Sequence, residues 1–255
     1  MIISHEHRFI FLHCRKVAGG SIESYLSQFL DDKDFMKGSL VDRYKTYGIP
    51  PNKAMWMDLV HPAALAYFLY HVSSRSLAKP WRHVNRMALI SALNRSRALV
   101  YPPLFTAASI KAFAPNEWDK YYKFCFVRNP YDLAVSDYKW RTKRIKHGRY
   151  TFKDFLREIE GRQFSRNGPT SRYSNWPACT IRDQICVDYV GRYENLYADL
   201  AEALGEIGLP FKEELLPHTK NSTHPGDYRK WYGKEEKELV TKLYKKEIDA
   251  FGYSF

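Results

Sequence analysis

The sequence is poor in cysteine and has no long apolar run, and both absences narrow the class of protein. Its 255 residues include four cysteines, Cys14, Cys125, Cys179 and Cys186, none in C-x-x-C spacing. That excludes a disulfide-stapled scaffold and a Cys/His zinc cluster, so we expect reduced thiols and no metal. The longest apolar run, 63–70, is far shorter than the ~20 residues of a membrane span. With no secretory signal at the polar N-terminus, we expect a soluble, cytoplasmic protein.

Acidic residues are also scarce. The chain has 28 Asp and Glu against 40 Lys and Arg, a net charge of +12. Residues 51–110 hold seven Lys and Arg and a single acidic residue, Asp58. Such an excess predicts an anionic ligand or surface, although charge alone does not identify the anion. With 45% hydrophobic and 16% aromatic residues, the chain can bury the core of a large domain, which excludes intrinsic disorder.

Strand and helix patterns alternate along the chain. Apolar runs at 9–12, 124–127 and 185–190 predict buried strands. Helical spacing follows the first run at Ile22, Tyr25, Leu26, Phe29 and Leu30, and further helices are predicted after Asn129, over 196–207 and around 239–248. Asn129 and Pro130 suit the cap and first position of a helix. This alternation predicts an α/β fold with a mainly parallel sheet.

Residues 31–123 separate the first two strand patterns and are too long for a simple crossover. Helices are predicted over 59–72 and 84–99. We expect one domain, 1–255, in which 31–104 form a helical insertion or a cap beside the functional site. The apolar stretch 66–70 is expected to lie in the core, the alternative being the lining of a lipid or small-molecule pocket.

The turn after the first strand has the composition of an anion site. Gly19 and Gly20 allow close approach to a helix N-terminus, where backbone N–H groups lack intrahelical partners. Arg15 and Lys16 add positive charge, and Ser21 adds a hydroxyl. The turn is not a Walker A loop, because its lysine precedes the glycines. The alternative is an ordinary strand-to-helix turn with solvated basic residues.

A second basic residue, Arg128, ends the next predicted strand, as Lys16 follows the first. Ligands of open α/β sheets bind at the carboxyl ends of such strands. Ser136 lies about two helical turns beyond Asn129 on the same face, and an arginine with a serine can hold a phosphate. The alternative for Arg128 is a salt bridge to Asp132.

Together these segments resemble sulfotransferase family 2, the carbohydrate sulfotransferase-like enzymes. Residues 13–22 resemble its 5′-phosphosulfate loop, H-x-P-K-T-A-G-[TS]-[ST]-[IL], and residues 126–132 with Ser136 resemble its 3′-phosphate motif. Shorter stretches also fit, at 118–119, 122–124, 189–196, 216–218 and 251–253. The resemblance covers roughly 8–30 and 105–255 and implies a P-loop-like three-layer core.

The resemblance implies transfer of a sulfuryl group from 3′-phosphoadenosine 5′-phosphosulfate (PAPS) to a hydroxyl or amine, with PAP as product. A carbohydrate is one candidate acceptor, and no specific nucleic acid is expected. Lys16 would contact the 5′-phosphosulfate and stabilise the leaving oxygen, and Arg128 and Ser136 would hold the 3′-phosphate. The cradle would consist of the Ser21 hydroxyl and the backbone amides of Ala18, Gly19, Gly20, Ser21 and Ile22.

The chain departs from the family loop at three positions. Arg15 replaces a proline and adds a possible anion contact, whereas Val17 and Gly20 each replace a residue with a side-chain donor, which weakens the inferred grip on PAPS. Near the C-terminus, 218–222 resemble the family with lysine and asparagine exchanged. Lys220, Ser222 and Arg229 are candidates to cover the nucleotide, the alternative being a solvated loop.

The general base is not evident. Leu104 stands where many relatives carry a histidine, just before the segment 105–108. A base must reach the acceptor and titrate near the working pH, which favours histidine or a carboxylate. The candidates are His61, His71, His83 and Glu23, of which His61 is favoured.

Two other functions stay open. One is a noncatalytic anion- or nucleic-acid-binding protein on the same scaffold, consistent with the net charge of +12 and with six basic residues in 139–149 around Trp140. The other is a nucleotide-dependent kinase, which the lack of a Walker A pattern disfavours.

Overall fold

The structure, a computed structural model, describes residues 1–77, 86–101, 106–142, 150–163, 173–217 and 227–255. Several residues singled out above lie outside these ranges: His83, Leu104, Phe105, Lys220 and Ser222, together with 143–149 of the basic run.

Within the described residues, the centre of the fold is a five-stranded sheet. Three of these strands are parallel neighbours, β2 (Phe9–Leu12), β4 (Tyr122–Val127) and β7 (Tyr189–Arg192). Two short strands, β1 (Ile2–Ser4) and β3 (Phe35–Met36), extend the sheet in antiparallel pairing beyond β2. The predicted α/β class with a mainly parallel central sheet is therefore confirmed.

Helices connect and surround the strands. In chain order they are α1 (Gly19–Leu26), α2 (Leu40–Tyr47), α3 (Lys53–Met57), α4 (Pro62–Leu77), α5 (Arg86–Ser96), α6 (Ala107–Phe113), α7 (Pro115–Lys120), α8 (Pro130–Thr142), α9 (Phe152–Gln163), α10 (Trp176–Cys179), α11 (Leu196–Glu206), α12 (Lys234–Leu243) and α13 (Lys245–Phe251). Within the described residues, no helix combines the length and the apolar character that crossing a bilayer requires.

The core forms on both faces of the parallel strands. On one face of the sheet, Phe9 and Phe11 of β2 and Phe124 and Phe126 of β4 have no exposed surface, and on the other face Ile10, Leu12 and Cys125 have none either. The rings of Phe9 and Phe124 lie 5.8 Å apart, and those of Phe11 and Phe124 lie 5.3 Å apart. Burial on both faces explains why these strands are continuous apolar runs rather than alternating ones.

Two predicted elements differ in their boundaries. The strand predicted over 185–190 starts too early, because Ile185 belongs to a hairpin of β5 (Thr180–Ile181) and β6 (Gln184–Ile185). The helical pattern of 239–248 is divided between α12 and α13, because the backbone leaves the helical conformation at Tyr244.

Most of the described residues between β3 and β4 are helical, and α4 packs against α5. The expectation that 66–70 lie in the core is wrong, because Tyr67, Leu69 and Tyr70 are 37%, 55% and 64% exposed. Ala64 on the same helix is fully buried. Apolar residues occur on all sides of α4, whereas α5 covers one of its faces.

A glycine on β7 is required by the packing of the core. A Cβ added to Gly191 would lie 2.8 Å from Cδ1 and Cζ of the fully buried ring of Phe126. We predict that Gly191→Ala lowers the free energy of unfolding by about 1–3 kcal/mol through overpacking, measured by urea denaturation. The matched control is Gly205→Ala on α11, where the new Cβ would meet no atom within 4 Å apart from its chain neighbours and the backbone of its own helix. That variant should be neutral or raise stability by about 0.5–1 kcal/mol, and equal losses in both would contradict the packing argument.

Candidate functional site

The turn between β2 and α1 adopts an unusual backbone conformation. Lys16 and Ala18 have φ values of 61° and 58°, in the left-handed region, although neither is glycine. The amides of Ser21 and Ile22 donate to the carbonyl of Ala18 at 2.8 and 3.1 Å, which starts α1. Left-handed residues just before a helix can turn successive N–H groups towards one point, a geometry that binds anions.

The members of the predicted cradle differ in exposure. Ser21 is 8% exposed, and its side chain lies at the first turn of α1. Ile22 is fully buried and its side chain belongs to the core, so it can contribute only its backbone to a ligand. Gly19 and Gly20 are the first residues of α1, where backbone N–H groups lack acceptors within the helix.

Buried polar residues fix the turn from the side of α8 and α10. The Arg15 guanidinium donates to Asp137 at 2.6 Å, and Asp137, which is 1% exposed, also accepts from Arg141 at 3.1 Å. The side chain of Asn175 accepts from the Arg15 backbone N–H at 2.7 Å and donates to its carbonyl at 3.0 Å. The charge of Arg15, predicted to face an anion, is therefore paired with a carboxylate.

Lys16 contacts both α8 and the end of β4. Its ammonium lies 5.7 Å from the ring centre of Trp140 on α8, which is 58% exposed. Its backbone carbonyl accepts a hydrogen bond of 2.9 Å from Nη1 of Arg128. The residue thus joins the β2 turn to the end of β4.

Arg128 contacts the β2 turn, α8 and its own neighbouring acid at the same time. It is 5% exposed and lies 3.4 Å from the Ser136 hydroxyl through Nη1. Its Nε and Nη2 lie 2.8 and 2.7 Å from one carboxylate oxygen of Asp132, the salt bridge considered as the alternative. The structure brings Lys16, Arg128 and Ser136 together, and the same contacts position the turn.

Sequence reasoning missed the partners that the end of β7 contributes. The Arg128 guanidinium lies 4.1 Å from the ring centre of Tyr193, a cation–π contact. The Asn129 N–H donates to Glu194 at 2.6 Å. Both residues fall in the segment 189–196 that resembles the family, which was the available signal.

Arg229 lies on the side of the site where α8 begins. Its guanidinium is 3.2 Å from Asp227 and 4.9 Å from the ring centre of Tyr228. The Tyr228 hydroxyl accepts a hydrogen bond of 3.5 Å from the Asn129 side chain. This places Arg229 near the second basic motif, although its charge is paired.

The structure does not join the favoured base to the turn. The backbone hydrogen bonds of His61 run to Asp58 and Leu65, at the start of α4, and its side chain is exposed. The ring of His71 contacts Tyr67 and Tyr70 on the same helix, with centroids 4.4 and 5.5 Å away. Neither histidine has a contact with residues 13–22 among those described.

Glu23 is excluded as a base by its surroundings. It is 3% exposed and binds Nδ1 of His13 at 2.9 Å and the amino group of Met1. Burial by itself raises the pKa of this carboxyl, but the electrostatic interactions and hydrogen bonds with His13 and with the amino group together outweigh it and lower the pKa to about 2. A carboxylate with so low a pKa does not take up a proton near neutral pH.

The described residues contain no cluster of His, Cys, Asp and Glu that could hold a metal ion. All four cysteines are described and are free thiols. Hydrogen bonds to Cys14 and Cys179, together with burial, raise the pKa of the Cys125 thiol well above its usual value. A thiol with a raised pKa is a poor nucleophile at neutral pH.

The buried Glu23 carboxylate and its partners predict how the free energy of unfolding depends on pH. Since folding lowers the pKa of Glu23 from 4.5 to about 2, its contribution is complete above pH 4.5 and is lost as the pH falls towards 2. Glu23→Gln should therefore lower the free energy of unfolding by about 3 kcal/mol at pH 6. The difference from wild type should shrink as the pH falls below 4.5, measured by urea denaturation from pH 6 to 3.

The control for this prediction is Glu214→Gln, since Glu214 is exposed in a 3-10 turn. Its stability should follow the wild type at every pH. A Glu23→Gln deficit that is independent of pH would contradict the ion-pair explanation.

Comparison with known proteins places the chain. A family model described as the sulfotransferase family matches residues 1–254. A protein of Archaeoglobus fulgidus described as uncharacterized is 31% identical over 117 residues, which is 44% of this chain and 87% of that protein. No solved structure matches the chain. Because the family model covers essentially the whole sequence, the chain belongs to the sulfotransferase family.

Proposed function

We propose that the protein transfers a sulfuryl group from PAPS to a hydroxyl or amine of an acceptor. Family membership supports a sulfotransferase role. The single observation that carries the proposal is the hydrogen bond of 2.9 Å between Arg128 and the Lys16 carbonyl. PAPS has a charged group at each end of its nucleoside, and two basic segments that meet at the carboxyl ends of neighbouring strands suit such a ligand.

The β2 turn would bind the 5′-phosphosulfate, in a core of the P-loop-like kind. The amides of Ala18, Gly19 and Gly20 stand at the positive end of α1, next to the left-handed residues. Transfer leaves charge on the phosphate oxygen that departs from sulfur. An ammonium placed by Lys16 would stabilise that charge, as positioned cations do in phosphoryl transfer.

The end of β4 would bind the 3′-phosphate. Arg128 and Ser136 lie 3.4 Å apart and are 5% and 3% exposed, so the phosphate would enter a site of low polarity where charged hydrogen bonds are strong. Arg128 already binds Asp132, and the phosphate would compete with that carboxylate for the guanidinium. In addition, Arg128 holds the Lys16 turn, so it serves both ends of the nucleotide.

The acceptor side is assigned to the insertion of 31–104, within a single domain of 1–255. A carbohydrate is one candidate acceptor, since it offers hydroxyl groups and anionic sugars suit a chain with a net charge of +12. Arg15 and Arg229 would contribute long-range attraction more than direct contact, because each is paired with an aspartate. The cytoplasmic location stays a prediction from the sparse cysteines.

A noncatalytic anion- or nucleic-acid-binding role is the second candidate. The observation that favours it is the charge of +12, together with the pairing of Arg128 to Asp132, which a purely structural role also explains. The two candidate functions predict that different ligands stabilise the protein.

The first test measures thermal stabilisation by PAP, ATP and a single-stranded oligonucleotide at fixed salt. A ligand present at 100 times its dissociation constant should stabilise the protein by about 2.7 kcal/mol. We expect a selective response to PAP that Arg128→Ala abolishes, since this change removes both the phosphate contact and the support of the turn. Arg95→Ala, at an exposed position of α5, is the matched control and should keep the response.

The oligonucleotide arm separates the two candidates. A response to oligonucleotide that disappears at modest salt, without a response to PAP, would support the noncatalytic role instead, because nonspecific binding depends on counterion release.

The second test measures turnover. Lys16→Ala should reduce PAP release from PAPS at least 100-fold, because loss of a donor aimed at developing charge costs about 3–4 kcal/mol. The fold should survive, since the Lys16 contact with Arg128 is made by the backbone. Lys53→Ala, an exposed lysine at the start of α3, should turn over normally. Near-normal turnover by Lys16→Ala would contradict the assignment of this residue.

A further inference from the structure

A histidine that precedes the turn lies directly against the start of α1. His13 follows β2, and its imidazole packs on Gly19, the first residue of the helix. A Cβ added to Gly19 would lie 2.8 Å from both Cε1 and Nε2 of the ring. The edge of the imidazole that carries Nε2 is therefore at the N-terminus of α1, where the sulfuryl end of PAPS is proposed to bind.

The other nitrogen of the ring is held by a buried carboxylate. Nδ1 of His13 lies 2.9 Å from Oε1 of Glu23, which is one turn along α1 and 3% exposed. A carboxylate can only accept a hydrogen bond, so Nδ1 carries a proton, and in the neutral tautomer that this bond selects Nε2 is the acceptor. The His13 side chain is 38% exposed, so its ring can be reached from solvent.

The charges around this pair support the same tautomer. The amino group of Met1 and Nδ1 of His13 both bind the carboxylate, and Gly38 lies against its other oxygen. The carboxylate stays ionised because these donors compensate for its burial. It therefore fixes both the orientation and the protonation of the ring, as in other carboxylate–histidine pairs.

We propose that His13, oriented by Glu23, is the general base of the transfer. This inference rests on the proposed function. Nε2 takes the proton of the acceptor hydroxyl or amine as its oxygen or nitrogen forms the new bond to sulfur. The bond between sulfur and the phosphate oxygen of PAPS breaks at the same time, and its electron pair leaves on PAP next to Lys16. The imidazolium then releases its proton to water.

The position of His13 also answers which residue acts as the general base, a question that the sequence left open. Leu104 stands where a histidine was expected, and His61 makes its hydrogen bonds within residues 58–65. His13 supplies an imidazole at the turn itself, with Glu23 as a positioning residue. The glycine at position 19 is then needed to make room for the ring, in addition to any approach by an anion.

The test compares variants that distinguish the role of Nδ1 of His13 from the role of Nε2. His13→Asn places an amide donor where Nδ1 lies, so it keeps the bond to Glu23 but has no group in place of Nε2. Release of PAP from PAPS is measured in single turnover, with water and a mixture of neutral oligosaccharides as acceptors. We expect at least a 100-fold loss of turnover in His13→Asn, with the thermal response to PAP retained.

Two further variants complete the comparison. His13→Ala should show the same loss and recover turnover with added imidazole, which a purely structural role would not allow. Glu23→Gln should lose about 10- to 100-fold, by analogy with other supporting partners of histidine, and should change the tautomer of His13 seen in ¹⁵N spectra of the ring. His7→Gln, in the turn between β1 and β2, is the matched control and should turn over normally.

The outcomes separate this inference from the proposed function. Wild-type turnover in His13→Asn, or a loss in His61→Gln without one in His13→Asn, overturns the role of His13 and leaves the sulfotransferase proposal intact. A wild-type protein that neither responds to PAP nor releases it from PAPS overturns the proposed function and this inference together. If His13→Ala does not fold, the turnover of His13→Asn decides the outcome, because this variant preserves the contact with Glu23.

Discussion

The site depends on one hydrogen bond between two distant parts of the chain. Nη1 of Arg128 donates to the carbonyl of Lys16, 112 residues away in sequence, at a position that is almost fully buried. Lys16 needs such a partner because its backbone is in the left-handed conformation, which costs a non-glycine residue roughly 1–2 kcal/mol. The parallel pairing of β2 with β4 sets the ends of the two strands side by side and so makes the bond possible.

Buried acids hold the rest of the turn in the same way. Asp137 pairs with Arg15, and Glu23 binds Nδ1 of His13, so two side chains that precede Lys16 are held in place before any ligand arrives. Breaking one such buried pair leaves an uncompensated charge, which is strongly destabilising. These contacts order the turn before a ligand binds, which would reduce the ordering cost of binding an anion there.

Much of the fold could be predicted because its signals are local. The runs 9–12 and 124–127 are apolar on both faces, and Asn129 caps α8 with its side chain on the Tyr131 amide. The hairpin near 180–185 was missed because its turn uses Arg182 and Asp183 at positive φ, without the glycine that usually marks such turns. The exposure of residues 66–70 on α4 was missed because the composition of a helix does not show which of its sides packs against another element.

The sequence by itself determined the strand–turn–helix order and the family, and it singled out Lys16, Arg128 and Ser136, which the fold brings together. Only the tertiary structure decided the partners of the charged groups. Arg15 faces Asp137 rather than open solvent, and Arg128 lies on Tyr193. Local patterns depend on neighbours in the chain, whereas the pairing of a charge depends on which distant residue the sheet brings within about 3–4 Å.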